Sequence, residues 1–290
     1  MTLPPLLRLT RPSHWTKNLT AFAGVIFGNR LGEPWAIGLD FAVFLVLILA
    51  SSAVYIANDL VDIDRDRQHP TKKRRPLASG EVQPTTATTL AWALAVAAIA
   101  GSWLLGAAVW VCVLLYLAIN VAYSRWLKHI VLADVLCIAI GFALRILAGI
   151  YVLGDLPTAW IILCGFFLAL FLGYGKRLAE IKNNAADSGA RPVLERYDRN
   201  FLESLVDGSA LASILSYALF TATSGKNPSL IVTVPLVYIA ITYYRRLLET
   251  STEGSEPEGI LLGNRVIQGC IALWLLTFIL ISYGDLHFFR

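Results

Sequence analysis

The sequence has few charged residues: only 15% of its 290 residues are Asp, Glu, Lys or Arg, against about a quarter in soluble domains. The stretch from Val82 to Ser124 contains none of them. At about 20 residues per span, that stretch is long enough to cross a bilayer twice. With 57% hydrophobic residues and a mean hydropathy of +0.63, the composition excludes a soluble, secreted or disordered protein and predicts a polytopic membrane protein.

Cysteine is also scarce, and all four cysteines lie in apolar runs: Cys112, Cys137, Cys164 and Cys270. Their spacing matches no metal-ligand pattern, so we interpret them as small side chains that face lipid or the protein interior. The net charge of +4 does not require a nucleic-acid partner, because the loop bias that orients membrane proteins explains a basic excess.

About nine apolar runs have the length of a membrane span. We predict an all-α membrane helical bundle, formed as a single integral membrane domain over residues 1–290. The predicted spans lie near 18–32, 37–58, 84–103, 106–123, 130–153, 158–178, 204–223, 229–247 and 266–284. The first is the weakest, because Arg30 interrupts it.

Basic residues are distributed unequally between the two sets of loops. Most of the 24 Lys and Arg residues fall in the N-terminal segment and in alternate loops after it, whereas the other side of the layout has only Arg30, Lys226 and Arg290. The positive-inside rule therefore places the N-terminus and the basic loops in the cytoplasm, on the inner face of the cell membrane. Because these loops are also longer and more polar, we expect a cytoplasmic cap that holds the functional site.

The densest group of ionisable residues follows the second predicted span. If that helix continues until Pro70 ends it, Asp59, Asp62 and Asp66 share one face, because their spacing is i, i+3 and i+7. Three carboxylates on one face repel each other unless a cation neutralises them, and hard oxygen ligands of this kind suit Mg²⁺. The pattern predicts a magnesium site, with Asn58 at its edge.

Basic residues follow these acids directly. Arg67, Lys72 and Arg75 stand beside the predicted magnesium site, and this combination is typical of phosphate recognition, in which Arg gives bidentate contacts and Lys a point charge. The alternative is a charged loop that only orients the protein, but such a loop has no need for three acids on one stripe.

Two further groups lie at the same predicted membrane face. After the fourth span, Tyr123 and Lys128 either contact a phosphate or sugar, or form an interfacial anchor. At the end of the sixth span, Lys176 and Arg177 are candidates to hold a phosphate and Glu180 to bind a second Mg²⁺. The alternative there is a surface pair between Lys176 and Glu180 at i, i+4.

For two other basic residues the sequence allows more than one role. Lys17, in the N-terminal segment, either reaches the phosphate site or belongs to an amphipathic anchor. Arg145 lies within the fifth span and requires a polar partner, and Asp134 is about three turns away on the same predicted helix. We interpret Arg145 as either an internal structural charge or a phosphate-facing one.

The pattern Asn58-Asp-x-x-Asp-x-x-x-Asp66 at the end of a span, in a chain of about nine helices, resembles the UbiA-type prenyltransferase superfamily. Most members that prenylate aromatic rings have a second Asp-x-x-x-Asp motif after the sixth span, which this sequence lacks. The resemblance is closest to the polyprenyl-phosphate (decaprenyl-type) phosphoribosyltransferase branch, on three motifs: Arg11-Pro-x-x-Trp-x-Lys-Asn18, Asp66-Arg-x-His-Pro-Thr-Lys-x-x-Arg-Pro76 and Gly175-Lys-Arg-x-x-Glu180.

The resemblance implies a UbiA-like bundle whose cytoplasmic cap holds Mg²⁺ and a diphosphate above a lipid-lined chamber. It implies Mg²⁺-dependent transfer of the 5-phosphoribosyl group from 5-phosphoribosyl 1-diphosphate to a polyprenyl phosphate, for a lipid-linked arabinose precursor and cell-wall biosynthesis. Asp59, Asp62 and Asp66 are then the catalytic acids, and with Asn58 they hold the metal. The resemblance also implies that phosphate or sugar is contacted by Lys17, Asn58, Arg67, Lys72, Arg75, Tyr123, Lys128, Lys176 and Arg177. The bilayer is an expected partner, nucleic acid is not, and a homo-oligomer stays open.

Two alternatives remain. The first is a UbiA-type aromatic or quinone-precursor prenyltransferase that ionises a prenyl diphosphate with the same acids; the missing second acidic pair argues against it. The second is a transporter or lipid-binding scaffold whose acids bind a coupling ion. Transporters tend to place such charges near the bilayer midplane on broken helices, whereas these acids are predicted at a helix end.

Overall fold

A computed structural model describes residues 3–182, 193–250, 259–260, 263–284 and 286–289, and this part of the chain folds into helices and connecting turns without a β-strand. The predicted all-α fold is confirmed. The α-helices are α1 (Pro5–Leu9), α2 (Ala23–Phe27), α3 (Pro34–Val61), α4 (Ile63–Gln68), α5 (Pro84–Leu104), α6 (Ala107–Arg125), α7 (Ala133–Val152), α8 (Ala159–Lys182), α9 (Arg199–Thr223), α10 (Val234–Thr250) and α11 (Arg265–Tyr283).

Among the described residues, eight helical segments are long and apolar enough to cross a membrane. They are α3 and α5 to α11, with α10 extended at its start by a 3₁₀ turn, Pro228–Thr233. These segments match eight of the nine predicted spans, and the chain is a multi-pass membrane protein.

The remaining predicted span, 18–32, is not a continuous α-helix. It is replaced by a 3₁₀ helix, Pro12–Phe22, that leads into the short α2; we call Pro12–Phe22 the 3₁₀ segment. Side chains of α3 bind polar groups of the 3₁₀ segment and of α2: Asn18 Nδ2 donates to Ser51 Oγ (3.1 Å), and the backbone N–H of Val25 donates to Asp40 Oδ2 (3.0 Å). Irregular backbone is tolerated at membrane depth where protein groups satisfy it in this way.

The chain divides into two units, residues 1–137 with 144–156 and residues 138–143 with 157–290. In the first unit, α3 packs against α5, α6 and the 3₁₀ segment. The core between them is formed by buried side chains that include Val43, Leu47, Ala50, Val113 and Tyr116. Because lipid is as apolar as these side chains, close packing rather than transfer out of water holds such helices together.

A glycine contact brings α7 against the N-terminal segment of the same unit. A Cβ atom added to Gly149 would lie 1.8 Å from the carbonyl oxygen of Ala21, and one added to Gly24 would lie 2.4 Å from the carbonyl oxygen of Gly149. The two backbones therefore touch, and a larger residue at either glycine requires them to separate.

In the second unit, α8 and α9 pack along their length. α9 contributes the buried small residues Ser209, Ser213 and Ser216, and Ser213 Oγ donates to the carbonyl oxygen of Cys164 on α8 (3.4 Å). Small residues of this kind allow membrane helices to approach closely.

Candidate active site

The acidic motif lies where α3 passes into α4. Helical hydrogen bonds continue through the junction, from Asp62 N to Asn58 O (3.0 Å) and from Asp66 N to Asp62 O (2.8 Å). At Asp62 itself, however, φ is −98° and ψ is 10°, away from α-helical values. The helix expected to continue to Pro70 is therefore interrupted at Asp62, and α4 ends at Gln68.

Two of the three acids converge on the same guanidinium nitrogen. Asp59 and Asp66 are each only 3% exposed, and one nitrogen, Arg75 Nη1, lies 3.0 Å from Asp59 Oδ1 and 2.6 Å from Asp66 Oδ2. Arg11 Nη2 also contacts Asp59 Oδ1. Because buried charge is costly unless it is paired, these guanidinium groups are what allows two carboxylates to converge here. We call these four residues the acid–arginine cluster.

Asp62 faces elsewhere: its Oδ1 lies 2.9 Å from Lys128 Nζ and 3.9 Å from Arg65 Nη1. In the described ranges, no three acidic, histidine or cysteine side chains are gathered as a metal-binding group. The predicted trio is thus a converged pair, Asp59 with Asp66, and a separate ion pair. The converged pair alone has the chemistry that fits a hard divalent cation, namely two buried carboxylates directed at one positive charge.

Arg11 is the site residue that sequence reasoning missed. Its φ of 51° lies in the left-handed region, which is uncommon outside glycine. Its guanidinium lies 5.1 Å from the ring centre of Tyr55, and the ring of His14 lies 5.4 Å from the same ring. Strained backbone of this kind persists where surrounding contacts hold it and is frequent at functional sites. The available signal was the Arg-Pro-x-x-Trp motif, which Arg11 opens.

The end of α6 borders the acidic motif. Ser124 Oγ contacts Asn58 Oδ1 and donates to the carbonyl oxygen of Asn120 (2.7 Å). Tyr123 is half-buried beside it, and Lys128 follows in a 3₁₀ turn and reaches Asp62. The predicted group after the fourth span is therefore next to the acids.

His69 shapes the turn that leads to Arg75. Its Nδ1 accepts from the backbone N–H groups of Thr71 (3.2 Å) and Lys72 (3.3 Å). Partial burial, and then the positive charge of Lys72, lower the pKa of His69 below its ordinary value. The neutral ring is the form that accepts these bonds, so the lowered pKa preserves the turn.

Two predicted phosphate ligands lie in less specific surroundings. Arg67 Nη1 pairs with Asp64 Oδ1 at 3.2 Å, and the two side chains are 54% and 84% exposed. Lys17 is half-buried on the 3₁₀ segment, next to the fully buried Asn18.

The remaining predicted residues belong to α8, in the second unit. Arg177 is 1% exposed, and its Nη1 lies 2.9 Å from Glu180 Oε2. Lys176 is half-buried. At Gly175, an added Cβ would lie 2.8 Å from Leu248 Cδ1, so α8 and α10 are in close contact at this level.

Known proteins resemble this chain over nearly its whole length. The model of the UbiA prenyltransferase family matches residues 18–260. Decaprenyl-phosphate phosphoribosyltransferase of Mycolicibacterium smegmatis is 34% identical, with 94% of this chain and 90% of that protein covered. The protein of the same name from Corynebacterium glutamicum is 30% identical, with 96% and 86% covered.

The fold also matches solved structures. A UbiA homolog from Archaeoglobus fulgidus bound to GPP and Mg²⁺ superimposes with a TM-score of 0.75 at 19% identity, with 97% of this chain and 99% of that chain covered. At such low identity the likeness shows the shared fold. Taken with the family match and relatives at 30% and 34% identity, it establishes that the chain belongs to the UbiA prenyltransferase family.

Proposed function

We propose that this protein is a pentosyltransferase that moves the 5-phosphoribosyl group of 5-phosphoribosyl 1-diphosphate onto a polyprenyl phosphate of decaprenyl type and releases pyrophosphate. The observation that carries the proposal is the acid–arginine cluster, in which Arg75 bridges the buried Asp59 and Asp66. Carboxylates beside arginines suit a metal-bound diphosphate. The relatives named for this activity match 94% and 96% of the chain.

Asp59 and Asp66 are the residues that would hold Mg²⁺, with Asn58 and Asp62 at the edge of the same motif. When bound, the metal would neutralise charge on the diphosphate leaving group. Glu180 is the proposed ligand of a second Mg²⁺.

The two arginines of the cluster are placed to bind the donor. The side chains of Arg75 and Arg11 are 30% and 22% exposed, against 4% for the two carboxylates. They therefore line the open side of the acid pair, where a guanidinium can bind phosphate oxygens in bidentate fashion. The proposed phosphate or sugar contacts also include Lys17, Asn58, Arg67, Lys72, Tyr123, Lys128, Lys176 and Arg177. The geometry supports Arg67 least, because it is exposed and pairs with Asp64.

The reaction breaks the bond between ribose C1 and the diphosphate oxygen and forms a bond from C1 to an oxygen of the lipid phosphate. Positive charge develops at C1 as pyrophosphate leaves, and the acceptor attacks from the opposite face. The acceptor is already an anion, so no strong general base is required. Catalysis then consists mainly of positioning and electrostatic stabilisation.

The proposed site faces the cytoplasm. The basic loops that follow the acids satisfy the positive-inside rule on that side, and a soluble donor is available there. The polyprenyl chain stays in the bilayer, so its phosphate meets the donor at the membrane surface, for synthesis of a lipid-linked arabinose precursor and the cell wall.

The experiment uses purified protein in detergent with Mg²⁺, polyprenyl phosphate and donor radiolabelled in the ribose. Movement of label into the organic phase is the expected result. Absence of transfer, together with prenylation of an aromatic acid from a prenyl diphosphate, would contradict the proposal and favour the aromatic prenyltransferase alternative.

The Lys176→Asp variant separates these two activities further. Under the proposal it loses phosphoribosyl transfer, because a cation assigned to phosphate becomes an anion. Under the alternative it gains aromatic prenylation, because it introduces an acid into the region where the second acidic pair is missing.

A further inference from the structure

A buried arginine lies in the apolar interior of the first unit, apart from the acid–arginine cluster. Arg145, on α7, is 5% exposed, and its neighbours Asn18 and Tyr116 are 0% and 3% exposed. Its Nε donates to Asn18 Oδ1 (2.9 Å), and its Nη2 donates to the hydroxyl of Tyr116 (2.9 Å). The guanidinium also lies 4.6 Å from the ring centre of Tyr116.

Burying the charge of Arg145 at this position costs free energy. Arg145 lies about 18 Å along α7 from Ala133, at 1.5 Å per residue, well inside a 20-residue helix that is long and apolar enough to cross a membrane. Charged residues at that depth are rare and mark function by default. The two hydrogen bonds and the ring contact fix the guanidinium in one place, which suits a residue that holds other protein groups in position.

The group that Arg145 holds belongs to the 3₁₀ segment. Asn18 lies within this segment, and the residue that precedes the segment is Arg11, which contacts Asp59. One helical turn beyond Arg145, the backbone of Gly149 touches Ala21 and Gly24. α7 thus contacts the N-terminal segment at two successive levels, one polar and one through backbone packing.

This segment needs external support. It is 11 residues of 3₁₀ helix, whereas such helices rarely exceed three or four residues. Arg11, which precedes it, has a φ of 51°. Both features are unfavourable for an isolated chain and persist only where neighbours hold them.

We propose that Arg145 is a positioning residue: through Asn18 it holds the 3₁₀ segment so that Arg11 stays against Asp59. The contact between Arg145 and Asn18 thereby controls how well the acid–arginine cluster binds a diphosphate. The inference deepens the proposed function and rests on it for the identity of the donor.

Two matched variants test this, since each removes one hydrogen bond from the same guanidinium. Asn18→Ala removes the bond to the 3₁₀ segment, and Tyr116→Phe removes the bond to α6. We expect Asn18→Ala to raise the KM for the donor about tenfold, as loss of a supporting contact does at metal sites, with a smaller change in kcat. Tyr116→Phe leaves that KM unchanged. Equal effects of the two variants would overturn the proposal, because a merely structural arginine would not distinguish them.

Asn18 also donates to Ser51, so Ser51→Ala serves as the second control. If Ser51→Ala alone reproduces the rise in KM, the anchor is α3 and the proposal is wrong. Asn18→Asp keeps an oxygen acceptor for Arg145, and we expect it to retain the wild-type KM.

A double variant tests whether the effect passes through Arg11. Arg11→Gln alone raises the KM for the donor. If Arg145 acts through Arg11, adding Asn18→Ala to Arg11→Gln raises it by less than about twofold more, because coupled residues are not additive. The full tenfold effect in that background would contradict the proposed route.

A binding measurement keeps the inference independent of turnover. The melting temperature of the purified protein is followed as Mg²⁺ and inorganic pyrophosphate are added together. We expect Asn18→Ala to need about tenfold more pyrophosphate for half the stabilisation, and Tyr116→Phe to match the wild type. If the wild type shows this response without phosphoribosyl transfer, the proposed function fails and the positioning role stands. If Asn18→Ala responds as the wild type does, the positioning role fails.

Discussion

Two arginine-centred clusters lie at opposite ends of α3, and their geometries differ. At the Val61 end, one nitrogen of Arg75 contacts two carboxylates that are almost fully buried. At the Pro34 end, Arg30 binds a single carboxylate, Asp155, through two parallel bonds of 2.9 and 2.8 Å, with side chains 27% and 32% exposed. Glu33, which precedes α3, adds a contact of 3.3 Å.

The difference separates a structural ion pair from the proposed binding site. The two-pronged pair of Arg30 with Asp155 matches the geometry of both groups, and hydrogen bonding to Asp155 raises the pKa of Arg30 above its ordinary value. It joins the loop before α3 to the loop after α7. Asp59 and Asp66 instead converge on a single guanidinium nitrogen, with Arg11 as the second countercharge, and two buried carboxylates gathered in this way suit a divalent cation.

The largest expected effect comes from removing one of the converged acids. Asp59→Asn or Asp66→Asn lowers phosphoribosyl transfer by at least about 100-fold, because loss of preorganised charge at a reacting centre has effects of that order. Transfer of ribose label into lipid is the measurement. Asp64→Asn is the matched control, since Asp64 lies in α4 with Asp66 but is exposed. Near-normal transfer by Asp59→Asn would remove the metal assignment.

The next effect concerns the shared cation. Arg75→Gln raises the KM for the donor by about tenfold or more and lowers the free energy of unfolding by about 2 kcal/mol in EDTA, because two buried carboxylates lose a charged partner. Added Mg²⁺ recovers part of this loss if it binds the same acids. Thermal unfolding with and without Mg²⁺ measures it, with the neighbouring Arg74→Gln as control. A loss of stability that Mg²⁺ does not change would contradict the metal site.

A smaller effect is expected at the opposite end of α3. Arg30→Gln lowers the melting temperature slightly, since a surface fastening is lost, and leaves the donor KM and the response to Mg²⁺ as in the wild type. The same unfolding and transfer assays measure both. An altered response to Mg²⁺ would mean that the two clusters are coupled, and the distinction between a structural ion pair and a metal site would then be wrong.

The smallest expected effect is that of metal removal on the fold. Chelation with EDTA stops transfer, but the helical circular-dichroism signal stays constant, because Arg11 and Arg75 already neutralise the buried acids. Loss of helical signal on chelation would show that the metal is structural.

Much of this architecture could be predicted from the sequence, because apolar runs of the right length leave the chain few alternatives in a bilayer. The span predicted at 18–32 is instead a 3₁₀ helix followed by a short α-helix, and the sequence did not indicate this because the supporting contacts come from Ser51 and Asp40, on another helix. The partners of Arg145 were missed for the same reason: the need for a polar partner is a local property, whereas Asn18 and Tyr116 come from distant parts of the chain.

In the candidate site, too, the sequence predicted what depends on local spacing and not what depends on distant partners. Helical spacing placed Asp59 and Asp66 together, and the structure brings them to one guanidinium. It also placed Asp62 on that face, because spacing arguments assume an uninterrupted helix. Asp62 lies at the interruption between α3 and α4, and its side chain contacts Lys128 instead.

Because of the 3₁₀ segment, the position of Arg11 depends more on the number of residues in this segment than on which residues they are. Each of its 11 residues advances about 2.0 Å, against about 1.5 Å in an α-helix, so the segment is several ångströms longer than the same residues would be as α-helix. Inserting or deleting one residue would rotate and shift Arg11 relative to Asp59, whereas substitutions at the exposed Ser13, Thr16 and Leu19 leave its place unchanged. Related enzymes with this segment should therefore keep the spacing between the residues equivalent to Arg11 and Asn18 even where the residues between them differ.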